Sequence, residues 1–173
     1  MSDSTSDDRA ERLREAIRFK KASASVRREG FPARPTEASA CLDELQRGIW
    51  LAHTMDPGSP AYNLVSACRV RGELDSEAVE GAFGAIVARH RLLRSTFIAD
   101  GSEVLQVIHT EAPVELARVQ SEPGGAVEAA VAAAKRPFEL ETLPLIRLHL
   151  VEEIGTGEQM LVLVLHHILS DER

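Results

Sequence analysis

Leu161-Val162-Leu163-Val164-Leu165-His166-His167-Ile168-Leu169-Ser170-Asp171-Glu172-Arg173 ends in two adjacent histidines and an aspartate, and its reading decides the fold. An unbroken Leu/Val run, preceded by Gly157 and followed by polar residues, suits a strand buried on both faces. It is too short to cross a membrane. Successive strand residues point to opposite faces, so His166 and His167 must do different jobs. One is expected to face a cleft and the other the protein interior.

Working back from that strand, Leu145–Glu153 reads as its partner, joined to Gln159–His166 across Gly155 and Gly157. The Ala-rich segment 125–136 (GAVEAAVAAAKR) is helical by propensity and is closed by Pro137. Val114–Val119 is a further candidate strand. Arg94–Ala99 and Glu103–His109 flank Asp100-Gly101, a pair that supplies the positive φ a hairpin turn needs. Before the hairpin, Asp75 or Ser76 caps a helix with Val79, Phe83, Ile86 and Val87 on one stripe, ending near His90. Ala61–Val70 alternates as a strand, Met55–Pro60 is a turn, and Cys41–His53 has helical spacing around Trp50, a core anchor. The order α, β, α, β, β, α, β, β predicts an α/β (α+β) layered sandwich.

The chain carries 20 Lys/Arg and 27 Asp/Glu, a formal charge of −7, unevenly distributed. Residues 9–28 alone hold eight basic residues and two glutamates, a local +6, so the remainder is strongly acidic. Ala10, Leu13, Ile17 and Lys21 share a stripe there, which reads as a basic helical arm, either solvated or docked on a partner protein. Gly30, Pro32 and Pro35 end it and set a boundary between an arm with linker (1–36) and a body (37–173). An acidic body without aromatic-studded basic motifs argues against nucleic acid. Cys41 and Cys68 have no metal-type spacing and are expected to be reduced and packed in the core of a cytoplasmic protein. Neither a signal sequence nor 18 consecutive apolar residues is present, so no membrane role is expected.

The chemistry of HHILSD has three readings. An imidazole titrating near neutrality can take and return a proton in acyl transfer, with Asp171 orienting it or holding the loop in shape through a cation. A metal site lacks an obvious third ligand, and adjacent strand residues diverge. A buried, hydrogen-bonded histidine with no chemistry is the third. No serine elbow, phosphate-binding glycine loop or CxxC pair competes.

The ending HHILSDE resembles the HHxxxDG signature of nonribosomal peptide synthetase condensation domains, relatives of chloramphenicol acetyltransferase. Three other stretches resemble the family's motifs in the family's order. Gln46–Leu51 running into Asp56–Asn63 is similar to the first motif. Arg89–Phe97 is similar to RHExLRTxF, and Arg136–Leu140 with Pro144–Arg147 to RPFDL…PLxR. The resemblance implies a chloramphenicol acetyltransferase-like N-terminal lobe in a domain that joins a donor acyl thioester to the amine of an acceptor aminoacyl thioester. Both substrates would ride on the phosphopantetheine of carrier proteins, with no cofactor or metal bound directly. It implies that His167 acts on the amine and that His166 is structural. Asp171 would be held by Arg89 or, second, by Arg94, as a loop-shaping pair. Glu172 stands where the family has glycine, adding bulk and charge beside the reacting thioester. The chain is expected to offer the first half of such a domain, without its acceptor-side wall, and to be inactive alone. Two alternatives stay open: a noncatalytic docking platform of a synthetase, and a coenzyme A-dependent acyltransferase of the same superfamily.

Overall fold

The computed structural model describes residues 39–170. Strand β1 (Ser39–Cys41) leads into helix α1 (Glu44–Met55), β2 (Asn63–Val70) and α2 (Ser76–Arg89). A 3-10 turn (Arg91–Arg94) precedes β3 (Ser95–Asp100), β4 (Glu103–Ile108) and β5 (Leu116–Ser121). Helix α3 (Ala126–Ala134), β6 (Ile146–Glu153), β7 (Gln159–His166) and a second 3-10 turn (His167–Leu169) complete the order. The predicted arm over residues 9–29, and Asp171 and Glu172, lie outside the described residues.

The helix boundaries follow from capping. Asp43 accepts from the Gln46 amide at 2.7 Å while the Gln46 side chain receives the Asp43 N–H, so α1 begins at a capping box. Residues 41–43 are therefore not helical as the spacing predicted. Cys41 pairs instead with Leu105 in a short strand that periodicity did not disclose. Asp75 caps α2 by accepting from Ala78. The β3–β4 hairpin turns on Gly101-Ser102, with Gly101 at φ +62° and Asp100 still paired to Glu103. The positive φ thus comes from glycine as expected, one residue later than the Asp-Gly reading placed the turn.

Two sheets form. One has the order β1-β4-β3; the other, β2-β7-β6-β5, is mixed, with β5 and β6 parallel across α3 and the other pairs antiparallel. Alternation in the larger sheet makes two apolar layers. Val151, Met160, Val162 and Val164 share a cluster with Ile49 of α1, Ala126 and Ala130 of α3, and Phe97 of β3. Ile146, Leu148 and Leu150 cluster with Phe83 and Val87 of α2. The layered α/β sandwich is therefore as the sequence predicted.

β7 is buried on both faces, though unequally. Val162 and Val164 are fully buried, while Leu161, Leu163 and Leu165 are half-buried on the α2 side. That helix covers the sheet with a narrow stripe: Phe83 and Val87 are buried, whereas Ile86, expected on the same stripe, lies at its flank and is half exposed. The edge position of β2 overturns another expectation. Cys68 is exposed rather than packed, and Leu64 and Val65 are exposed as well. The Cys41 side chain lies outside the described residues. No helix among them is long and apolar enough to cross a membrane.

Candidate active site

β7 is interior to its sheet, between β2 and β6, so its last residue arrives at a fixed place. His166 continues the fully buried face, and its N–H donates to the Leu145 carbonyl at 3.0 Å. The backbone then tightens into the 3-10 turn. His167 leaves the sheet, donating its N–H to the Tyr62 carbonyl at 2.8 Å, and Gln46 of α1 ties the turn from the other side through Nε2–H to the Ile168 carbonyl, 3.2 Å.

The two rings occupy different environments, as expected, though it is the turn after β7 rather than strand alternation that redirects His167. His166 is 2 % exposed and sits among the rings of His53, Tyr62 and Phe138, at centroid distances of 5.7, 6.2 and 6.1 Å. Its Nδ1 accepts the Ile168 N–H at 3.2 Å, so the ring proton resides on Nε2. Burial, reinforced by His53 and then His167, depresses its pKa to about 4, and the ring is neutral at physiological pH. His167 is only half-buried, with Nδ1 at 2.7 Å from the Ser170 hydroxyl.

Phe138 reaches His166 because Arg147 holds the segment that carries it. The Arg147 guanidinium donates to the carbonyls of Arg136 (3.0 Å) and Pro137 (2.5 Å) and lies 3.7 Å over the Phe138 ring. Asn63, opposite His166 in the β2–β7 register, donates to the carbonyls of Ala134 and Arg136 and secures the same segment. Gln46, Tyr62, Phe138 and Arg147 all belong to the motif stretches, yet no role for them could be read from the sequence. Gln46 reaches Ile168 across 122 residues of chain, Tyr62 and Arg147 act on or through backbone carbonyls, and Phe138 meets His166 ring to ring.

The arginines separate. Arg94 is buried, and its Nη1 donates to the carbonyls of His109 and Thr110, anchoring the end of β4. Those two bonds tie Arg94 to the end of β4 through Nη1; Asp171, its expected second-choice partner, lies outside the described residues. Arg89 is in the exposed last turn of α2. Its expected partner Asp171 and the variant position Glu172 lie outside the described residues. Two clefts of about 250 and 190 Å³ open elsewhere, one beside His149 and the other beside Arg94, and neither is lined by His166 or His167. Among the described residues no group of three or more His, Cys, Asp or Glu could hold a metal ion.

A fold-stability consequence follows from His166. Its folded pKa lies below the unfolded value of 6.5, so the unfolded chain binds the proton more tightly. Stability is fully present above about pH 6.5 and is lost as pH falls towards 4; burial lowers the His149 pKa too and adds in the same direction. Urea unfolding is expected to show a loss of about 1–3 kcal/mol over that window from His166. His166→Gln, which cannot titrate, should flatten the curve; parallel curves for the two proteins would remove His166 as the cause.

The family model for the condensation domain matches residues 36–172. The chain belongs to the condensation-domain family. Bacitracin synthase 2 of Bacillus licheniformis is 32% identical over 130 residues, which is 75% of this chain and 5% of that protein. Among solved structures, the starter condensation domain of rhizomide synthetase RzmA is 26% identical with a TM-score of 0.67, covering 78% of this chain and 35% of that one. The X-domain in its complex with OxyB from teicoplanin biosynthesis is 29% identical with a TM-score of 0.67, covering 79% and 29%. This condensation-domain chain thus spans a few per cent of the synthetase it resembles and about a third of the solved chains.

Proposed function

We propose that this chain is the N-terminal part of a condensation domain that makes an amide between two carrier-bound substrates. The acceptor amine attacks the donor thioester carbonyl, the new C–N bond replaces the C–S bond, and the proton released by the amine ends on the departing thiol. His167 takes or steers that proton, and His166, Asp171 and Arg89 shape the turn that presents it. The substrates ride on phosphopantetheine arms of carrier proteins, and a basic arm suits acidic carriers. The observation that carries this reading is the division at the end of β7. One histidine is neutral and enclosed, and the next is half-buried on a turn held from both sides. A general base must be kept on a rigid element, and the backbone bonds to Tyr62 and Gln46 that hold the His167 turn support that reading.

The test is a condensation assay on the full-length protein that carries this chain, with donor acyl and acceptor aminoacyl groups loaded on carrier proteins. Mass spectrometry should find the amide on the acceptor carrier. Absence of product with both carriers loaded would sink the proposal. A second reading, a noncatalytic docking platform, is favoured by Glu172 at the family's glycine position and by the likeness to an X-domain in complex with OxyB. Carrier binding without turnover is its signature.

A further inference from the structure

We infer that Ser170 is a positioning residue, whose hydroxyl fixes His167 in the tautomer with the proton on Nδ1 and the basic lone pair on Nε2. The inference rests on His167 being the base proposed above. Its physical ground is proton accounting around one hydroxyl. Ser170 Oγ lies 2.7 Å from His167 Nδ1 and 3.1 Å from the His167 carbonyl oxygen. The hydroxyl has one proton. If it went to Nδ1, two oxygens would face each other at 3.1 Å with no hydrogen between them. If it goes to the carbonyl, Oγ keeps lone pairs for Nδ1–H, and both short contacts become hydrogen bonds. The second assignment is the favourable one, and a neutral imidazole protonated on Nδ1 is basic at Nε2.

His166 supplies the contrast. There a backbone N–H, from Ile168, occupies Nδ1 and forces the ring proton to Nε2. Adjacent histidines are therefore set in opposite tautomers by two different partners within one short turn. The device also serves the protonated ring. When Nε2 takes a proton, Nδ1–H goes on donating to the same oxygen, so the turn needs no rearrangement during the step.

Three measurements decide the matter. In the full chain labelled with ¹⁵N-histidine, long-range ¹H–¹⁵N correlations above about pH 7.5, where an ordinary imidazole is neutral, should show His167 protonated on Nδ1 and His166 on Nε2; a His167 ring protonated on Nε2 overturns the inference. In the full-length protein, Ser170→Ala should lower kcat for amide formation by about 10- to 100-fold, with KM for both carrier substrates within about twofold. Ser170→Thr, which keeps the hydroxyl, should recover most of that loss. A Ser170→Ala protein with wild-type kcat overturns the role of Ser170 while leaving the base intact. A His167→Ala protein that keeps its rate removes the base itself, and the two failures are thereby distinct. Should Ser170→Ala lower the melting temperature, the tautomer in the wild-type chain still decides.

Discussion

Alanine at position 167 is expected to abolish amide formation in the full-length protein while leaving the fold standing. A positioned base contributes about 10²–10⁴ to such a step, so a fall in rate of at least about 100-fold is the expected result in a carrier-bound donor and acceptor assay. The structure gives a reason to expect clean separation of chemistry from stability. His167 holds the turn through its backbone, with its N–H donating to Tyr62 and its carbonyl accepting from the Ser170 N–H and hydroxyl, and through its ring, whose Nδ1 lies 2.7 Å from the Ser170 hydroxyl. Alanine keeps the backbone bonds and loses a half-buried ring with its contact to Ser170. His166 is the opposite case, a fully enclosed ring whose loss is felt first in stability. Near-normal rates for His167→Ala would overturn the assignment, whereas a lowered melting temperature with inactivity would leave activity and folding confounded. The comparison with His166→Gln at equal melting temperature resolves that outcome.

The second large effect is structural. Phe97 in β3 is fully buried, donates its N–H to the Leu140 carbonyl at 2.8 Å, and belongs to the same cluster as Val162, Val164 and Ile168. It joins the smaller sheet to the strand and turn that carry the histidines. Phe97→Ala is expected to cost about 3–5 kcal/mol, the transfer of a large aromatic side chain plus the cavity that a close-packed interior cannot fill. Phe97→Leu, which keeps most of the volume, should cost about 1–2 kcal/mol. Urea-unfolding midpoints measure both. A loss below about 1 kcal/mol for alanine would mean that Phe97 does not bridge the sheets.

Much of this was legible in the residues themselves. The Leu/Val run, the Gly101 turn, the Asp75 cap and the Pro137 stop each act within a few residues, so local chemistry disclosed them. That His166 and His167 face different surroundings was expected from strand alternation, although His167 lies in the turn after the strand. Other features are set by distant chain. Cys68 and Leu64 have the composition of a buried strand, but β2 lies at a sheet edge, and edge position is a property of topology rather than of local pattern. β1 is three residues long and pairs with the distant β4, too short for periodicity to register. Gln46 and Arg147 stand within recognisable motifs, but their partners are backbone carbonyls, which carry no sequence signature. Ser170 sat in plain view between His167 and Asp171, and only the distances to two atoms of one histidine give it a purpose.

The interior placement of β7 has a kinetic side. Its amides are shared with β2 on one flank and β6 on the other, and its odd and even side chains are held by different layers. Local opening that exposes it must break two ladders and two clusters together, so its hydrogen exchange belongs with the slowest in the chain, while β2, exposed along most of its length, can fray. The two histidines thus sit at the end of an interior strand, His166 as its last residue and His167 as the first of the turn that follows.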